Sequence, residues 1–108
     1  VGLLAGENDT FATETQRDGR AINRHNYCDA EIKRNLERPV VQRLMNLIRF
    51  RNEHEAFNGE FTLVSNSDHE VKIVWEKGGQ MCALFVDLVT YRAEIQHRDS
   101  TTEGGFVI

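Results

Sequence analysis

The sequence contains little that would cross-link or interrupt the chain, because only two cysteines and one proline occur among its 108 residues. Cys28 and Cys82 lie far apart, so we expect no disulfide framework, and a cytoplasmic location is the default for such a chain. Long apolar runs are also lacking. The opening VGLLA is too short for a membrane span or for the apolar part of a signal peptide. We therefore expect no membrane partner.

Positive charge is scarce as well. Thirteen Lys and Arg residues stand against seventeen Asp and Glu residues, which gives a formal net charge of −4. Residues 1–58 hold nine of each sign, whereas residues 59–108 hold four basic and eight acidic residues. Proteins that bind nucleic acid or anionic membranes present an excess of positive charge. The charge balance therefore argues against a nucleic-acid partner.

Metal-ligating residues are not grouped in the sequence. The histidines form no His-x-x-x-His spacing and the cysteines form no Cys-x-x-Cys motif, although such close spacings are typical of metal sites. The histidines are His25, His54, His69 and His97. We therefore predict neither a metal site nor another cofactor.

Candidates for a catalytic group are weak. Cys28 lies near Arg24 and His25, whose charge favours a thiolate, but no acid is placed to orient a base. Cleavage of a glycoside needs two carboxyl groups that flank the bond. The carboxylates of Glu7–Asp9 and Asp18 lie in turn-like sequence, where acidic residues are common for local reasons. We predict no catalytic residue in this chain.

Helical spacing is clear in two segments. Asp29–Leu36 is predicted as a short helix, because Ile32 and Leu36 are four residues apart and Asp29 suits the first turn. A second helix is predicted from Pro39, whose missing N–H costs nothing in a first turn, to a stop before Asn58-Gly59. Its apolar stripe is expected to face a core and consists of Val40, Val41, Leu44, Leu47 and Ile48.

After Gly59 the apolar period changes from helical to alternating, which predicts strands. We expect them around FTLV, VKIVW, MCALFVDL, YRAEIQH and GGFVI, with turns at SNSDH and EKGGQ. The fold class is therefore α+β, a helical segment followed by an antiparallel sheet of four or five strands. The aromatic side chains of the strands are expected in the core; they are Phe61, Trp75, Phe85 and Tyr91.

Residues 6–27 have no apolar period, and a structureless loop of that length is usually functional or disordered. Within them, the stretch GRAINRHNY places Arg24 between Asn23 and His25. A guanidinium pairs bidentately with a carboxylate, and the neighbouring amide and imidazole suit a polyhydroxylated or anionic ligand. The residues alone leave open whether Arg24 lies on the surface or in a pocket.

Four motifs in order resemble the C-terminal end of the sucrose phosphorylases, which are glucosyl-transferring members of the α-amylase clan of retaining glycosidases. They are VGLLAGEND, GRAINRHNY, RPVVQRLMNLIRFRN and AFNGEF. The resemblance is close over residues 1–61, and only the general strand pattern continues beyond them. It implies that residues 1–58 are the end of a catalytic (β/α)8 barrel (last strand Val1–Ala5, active-site loop and terminal helices). Residues 59–108 would be a C-terminal antiparallel β-domain.

The same resemblance implies a role for Arg24. It matches the arginine that, in the family, contacts the glucosyl unit of the substrate and pairs with an acid from an early barrel loop. The family reaction converts sucrose and inorganic phosphate to α-glucose 1-phosphate and fructose with retention, through an aspartate nucleophile and a glutamate acid–base. Those acids, and a further aspartate, belong to earlier barrel strands. We therefore expect the 108-residue chain alone to be inactive.

Other interpretations stay open on the sequence. A hydrolase of the same clan would share these motifs. A noncatalytic carbohydrate-binding or protein-interaction module at 60–108 would instead expose a row of aromatic side chains, with Trp75 and Tyr91 side by side. A homo-oligomer is also open, because the stripe of the helix at 39–53 needs a partner, either the sheet or a second copy of the chain.

Overall fold

A computed structural model describes residues 2–16, 18–23, 25–65 and 67–108. The chain divides into two compact units, Val1–Arg49 and Phe50–Ile108. The first unit is helical. The second contains the end of a helix, a short 3-10 helix and a five-stranded antiparallel sheet. The predicted α+β class, with helices before an antiparallel sheet, is confirmed.

The helices of the first unit follow local signals in the sequence. α2 (Asp29–Leu36) and α3 (Pro39–Glu53) have the predicted bounds, and α3 ends before the stop signal at Asn58-Gly59. The expectation of a structureless loop over residues 6–27 is wrong in part, because α1 (Thr10–Gln16) and a 3-10 helix (Gly19–Asn23) form within it. Short polar side chains cap both elements, which the absence of an apolar period did not reveal.

The opening run is a turn over Gly2–Ala5, where a strand was predicted; Val1 lies outside the described residues. The backbone N–H of Ala5 donates to the carbonyl of Gly2 at 3.1 Å, and Ala5 has a positive φ of 48°. A strand needs a neighbouring strand to pair its backbone groups. Here the carbonyls of Leu4 and Ala5 accept hydrogen bonds from the Arg38 guanidinium instead, at 3.1 and 2.7 Å.

The apolar stripe of α3 is only partly buried. Val41 is fully buried, and Leu44 and Leu47 are half-buried. Val40 and Ile48, however, are 52 % and 39 % exposed. The prediction that the whole stripe belongs to a core is therefore wrong at its two margins. A stripe read at helical spacing includes residues at its edges, whose burial depends on what packs beside them.

The sheet is a meander in the order β1-β2-β3-β4-β5. The strands are β1 (Glu60–Ser65), β2 (Glu70–Lys77), β3 (Gln80–Asp87), β4 (Arg92–Arg98) and β5 (Glu103–Val107). Directly paired residues of an antiparallel sheet share a face. The pairing of Trp75 with Cys82 and of Cys82 with His97 therefore places these three side chains on one face. Ile73, Leu84 and Ile95 continue that face, which is the apolar one.

The turn between β2 and β3 lies at Gly78-Gly79, as EKGGQ predicts. Both residues have positive φ, 57° and 84°, as a type I′ hairpin turn requires. A 3-10 helix (Glu55–Asn58) precedes β1 and contacts β2, and the Lys77 ammonium lies 2.7 Å from the Glu55 carboxylate. These contacts join the start of the sheet to the hairpin.

The core of the second unit contains Ala56, Cys82, Ala83 and Ile95. Two of the four aromatic residues expected in a core are exposed instead, Phe61 by 60 % and Tyr91 by 86 %. Phe61 lies on the edge strand β1. Tyr91 lies in the turn before β4 and has a positive φ of 57°. Alternation in sequence predicts which face a strand residue occupies, but an edge position or a turn exposes the side chain all the same.

Candidate functional site

Arg24, the predicted substrate-binding residue, lies outside the described residues. Its two neighbours are described. Asn23 ends the 3-10 helix and is exposed, and His25 is exposed in the segment that leads to α2. The candidate site is therefore defined by the residues around Arg24, and above all by those that hold His25.

Glu31, in the first turn of α2, contacts the segment after Arg24 at two points. One carboxylate oxygen, Oε1, lies 3.3 Å from Nε2 of His25, and the other, Oε2, accepts the backbone N–H of Cys28 at 2.8 Å. The hydrogen bond from the Cys28 backbone is the main cause that lowers the pKa of Glu31 below its ordinary value, and His25 adds to it. The carboxylate is therefore favoured in its charged form, in which it accepts both bonds.

A second contact restrains His25. Its ring meets the ring of Tyr27 edge to face, with centroids 4.5 Å apart. Both side chains line a shallow depression of about 530 Å³ in the first unit. The other residues that line it are Ala5, Gly6, Glu7, Arg34, Asn35 and Arg38. The depression therefore contains imidazole, phenol, amide, carboxylate and guanidinium groups, which can bind hydroxyl groups and anions through hydrogen bonds.

Arg38 is a structural residue of this depression. Its Nη1 donates to two consecutive carbonyls, those of Leu4 and Ala5, at the end of the opening run. A charged donor forms stronger hydrogen bonds to carbonyls than a neutral one does. Arg38 therefore ties the residues before Gly6 to the turn between α2 and α3, more than thirty positions later in the chain.

The carboxylates weighed as a catalytic pair have local structural roles. Oδ1 of Asp9 accepts the backbone N–H of Ala12 at 2.9 Å, at the start of α1. Oδ1 of Asp18 accepts the backbone N–H of Arg20 at 3.0 Å, at the start of the 3-10 helix. Both are the interactions of N-terminal caps. Glu7 lies in the depression and forms no ion pair with another described residue.

The remaining chemical candidates are likewise accounted for by packing or position. Cys82 is buried, and burial raises the pKa of its thiol to about 11, so it is a core residue as predicted. Cys28 is exposed.

Within the described ranges, no three residues of the types His, Cys, Asp and Glu are grouped so that they could hold a metal ion. Nor does any helix in the described part of the chain have the length and apolar character needed to cross a membrane.

The sheet does not bring Trp75 and Tyr91 together, which is the arrangement expected of a carbohydrate-binding module. Trp75 is half-buried beside the Gly78-Gly79 turn, where its ring packs on Phe57 with centroids 5.0 Å apart. Tyr91 follows β3 at the opposite end of the strands. These two rings are therefore not side by side, and the arrangement that would favour the module is not formed.

The sequence indicates only part of the contacts that organise this region. Glu31 has the capping-box spacing from Cys28, and this spacing indicates the contact with the Cys28 backbone. Nothing in the sequence pattern indicated the contact of Glu31 with His25, since the two residues precede and follow a helix start. The contact of Arg38 with Leu4 and Ala5 had no local signal, because it joins distant parts of the chain.

No family model matches the chain. A sucrose 6(F)-phosphate phosphorylase of Thermoanaerobacterium thermosaccharolyticum is 48 % identical over 103 residues, which are 95 % of this chain and 21 % of that protein. A glucosylglycerol phosphorylase of Marinobacter adhaerens is 40 % identical over 102 residues, covering 94 % and 21 % of the two chains. A sucrose phosphorylase of Bifidobacterium adolescentis is 47 % identical over 75 residues, covering 69 % and 15 %.

The crystal structure of sucrose 6F-phosphate phosphorylase from Thermoanaerobacter thermosaccharolyticum matches the whole chain with a TM-score of 0.92 and 46 % identity, and 22 % of that structure is covered. The fold and the sequence are thus similar to one segment of that phosphorylase. The chain is homologous to the sucrose and sucrose 6(F)-phosphate phosphorylases, as the motifs predicted. It spans about a fifth of the length of these relatives, which is consistent with a C-terminal portion.

Proposed function

We propose that this chain is the C-terminal part of a glucosyl-transferring phosphorylase of the sucrose phosphorylase type. The observation that carries the proposal is the agreement among relatives that match nearly the whole chain. At 48 % and 40 % identity, they are a sucrose 6(F)-phosphate phosphorylase and a glucosylglycerol phosphorylase. The complete protein is then a cytoplasmic enzyme that transfers a glucosyl group between a glucoside and inorganic phosphate. With sucrose as the donor, it forms α-glucose 1-phosphate and fructose.

In this proposal residues 1–58 contribute the end of a catalytic (β/α)8 barrel and residues 59–108 a C-terminal β-domain. The reaction is a retaining double displacement, with the nucleophile and the acid–base supplied by carboxyl groups from earlier parts of the protein. Active sites of such barrels lie in the loops that follow the strands. The segment 6–27 would be such a loop, and Arg24 would contact the glucosyl unit.

The depression beside His25 supports this assignment. It combines hydrogen-bonding side chains of the kinds that bind sugars and anions, and it lies immediately after the opening run. The caps that Asp9 and Asp18 form also support it, because they leave these carboxylates in structural roles and leave the catalytic acids to the rest of the protein. No cofactor is required by the reaction.

The first test uses the full-length polypeptide that contains this chain. It is incubated with sucrose, sucrose 6′-phosphate or glucosylglycerol, with and without inorganic phosphate, and α-glucose 1-phosphate and free glucose are measured. We expect phosphate-dependent formation of α-glucose 1-phosphate from at least one donor. Free glucose that forms at the same rate with and without phosphate would identify a hydrolase of the same clan and contradict the proposal.

The second test concerns Arg24. Arg24→Ala in the full-length protein should lower kcat/KM for the glucosyl donor on the order of a hundredfold, because a charged hydrogen-bonding group is lost from the bound substrate. The matched control is Arg20→Ala, since Arg20 is an exposed arginine of the neighbouring 3-10 helix. It should change kcat/KM by less than about twofold. Equal effects of the two changes would remove Arg24 from the site.

A third test separates the chain from the whole enzyme. The 108-residue chain alone should form no α-glucose 1-phosphate from sucrose and phosphate, because the proposal assigns the catalytic acids to the rest of the protein. The same chain fused to the missing part of a homologous phosphorylase should restore activity. Turnover by the isolated chain would contradict this assignment.

A further inference from the structure

Glu31 connects two parts of the chain that its own helix does not contain. Its two carboxylate oxygens are used separately, Oε1 towards His25 and Oε2 towards the backbone of Cys28. The carboxylate thus spans the segment 25–28 from its first residue to its last. Because His25 is bonded directly to Arg24, this bridge restrains the backbone on the C-terminal side of Arg24.

The restraint on His25 has a second component. The Tyr27 ring stands edge to face against the imidazole at 4.5 Å, so the imidazole is held by Glu31 at Nε2 and by an aromatic ring at its side. Two independent contacts leave a side chain fewer rotamers than one does. Since a guanidinium recognises a sugar through directional hydrogen bonds, a fixed neighbouring backbone lowers the entropy that is lost when substrate binds.

We propose that Glu31 is a positioning residue, which holds the segment 25–28 so that Arg24 is aligned with the glucosyl unit of the substrate. The inference rests on the proposed function. It adds to that function the residue that positions Arg24 for its contact with the glucosyl unit. In this proposal the carboxylate of Glu31 is engaged by His25 and the Cys28 backbone and does not itself bind the substrate. It acts through His25 and through the backbone that His25 shares with Arg24.

A role as an ordinary helix cap explains only half of what Glu31 does. The bond to the Cys28 backbone and the negative charge in the first turn of α2 would stabilise the helix by themselves. Asp29 supplies a negative charge in the same turn. The bond to His25 is additional, since it reaches outside the helix, and in the described part of the chain Glu31 is the acid that pairs with His25. The low pKa of Glu31 is consistent with a carboxylate that stays charged to hold both partners.

The test compares two substitutions that each remove one negative charge from the first turn of α2. Glu31→Gln keeps an amide oxygen that accepts the Cys28 N–H, but an amide NH2 group replaces the carboxylate oxygen that faces Nε2 of His25. Asp29→Asn is the control. In the full-length protein, Glu31→Gln should lower kcat/KM for the glucosyl donor about tenfold, because misplacing a binding group by a fraction of an ångström is costly. Asp29→Asn should lower it less than about twofold, and the two variants should have similar melting temperatures.

A double-mutant cycle with Arg24→Ala distinguishes positioning from general stability. If Glu31 acts through Arg24, then Glu31→Gln should lower kcat/KM no further once Arg24 is absent, because the effects of residues that act as a unit are not additive. His25→Ala removes the other partner of the Glu31–His25 contact. It replaces Glu31→Gln in the cycle if Glu31→Gln fails to fold. It should also be non-additive with Arg24→Ala.

The outcomes separate the two proposals. Phosphorolysis by the wild-type protein together with equal effects of Glu31→Gln and Asp29→Asn would overturn the positioning role and leave the proposed function standing. Full additivity with Arg24→Ala would do the same. A wild-type protein that phosphorolyses none of the three donors would overturn the proposed function, and the positioning role with it.

Discussion

The imidazole rings of His54 and His97 meet edge to face, with ring centroids 5.6 Å apart. His54 directly follows α3, and His97 lies in β4. Phe50 contacts both rings, at 5.2 and 5.1 Å. Nδ1 of His54 accepts the backbone N–H of Ala56 at 3.3 Å, so in the neutral ring the proton is on Nε2. This Nε2, like Nδ1 of His97, is buried without a hydrogen-bond partner in the described structure.

The burial of His54 predicts that the second unit loses stability in mild acid. Burial, and then the proximity of His97, lower the pKa of His54 below its ordinary 6.5, while Asp99 opposes the shift. The carboxylates of Glu53, Glu55 and Asp99 line the depression beside the rings. Well above pH 6.5 neither the folded nor the unfolded state binds a proton at His54. As the pH falls below 6.5, the unfolded chain binds the proton first, so the free energy of unfolding should fall until the pH passes the lower folded pKa.

Urea unfolding followed at pH 8, 7, 6 and 5 checks this expectation. His54→Asn keeps an acceptor for the Ala56 N–H, since asparagine is a good N-cap, and removes the titrating group. Its unfolding free energy should change less between pH 7 and 5 than that of the wild type. His69→Asn is the control, because His69 is exposed in a turn. If His54→Asn retains the full pH dependence, His54 is not its source.

Gly59 is predicted to tolerate no side chain. A Cβ at this position would lie 1.9 Å from the carbonyl oxygen of Glu76 and 2.6 Å from its carbon, and both are backbone atoms of β2. Either β1 or β2 must then shift. We expect Gly59→Ala to lower the free energy of unfolding by about 2–3 kcal/mol, as overpacking does, measured by urea unfolding.

The control for Gly59 lies in the same unit. Gly78 has a positive φ of 57° and no atom within 4 Å of an added Cβ. Asparagine tolerates that backbone conformation in hairpin turns, so Gly78→Asn should change the free energy of unfolding by less than about 0.5 kcal/mol. If both variants lost a comparable free energy of unfolding, the close contact at Gly59 would not be the cause of the loss in Gly59→Ala.

The two cysteines should differ strongly in reactivity. Cys82 is 1 % exposed and burial raises the pKa of its thiol to about 11, whereas Cys28 is exposed. Because the thiolate is the nucleophile, iodoacetamide at pH 8 should label Cys28 in the native protein and both residues in urea. Peptide mass spectrometry measures the extent of alkylation at each cysteine. In the control variant Cys28→Ser, Cys82 should stay unlabelled in the native state. Rapid native labelling of Cys82 would contradict its place in the core.

Local interactions explain which predictions from the sequence are confirmed. α2 depends on contacts between residues three or four apart, and α3 begins at a proline that suits a first turn. The β2–β3 hairpin depends on two adjacent glycines that adopt positive φ at no steric cost. In each case the residues that decide the conformation lie within the element itself.

Predictions that needed distant partners failed or could not be made. Gly2–Ala5 forms a turn because the described chain pairs no strand with it, and its carbonyls bind Arg38. Phe61 and Tyr91 have the residue types of a core, but an edge strand and a turn expose them. The homology itself was recognisable from four motifs. The contact of His25 with Glu31 was not recognisable, because the two residues lie on opposite sides of the start of α2.

The sequence by itself thus determined the start of each main helix, the hairpin turn, the positions of the strands along the chain and the family, since these follow from neighbours along the chain and from motifs in a fixed order. Only the tertiary structure decided that Glu31 reaches His25, that Arg38 holds the opening run and that His54 meets His97. Such contacts depend on how separate segments of the chain pack against each other, and residue spacing in the sequence does not predict that packing.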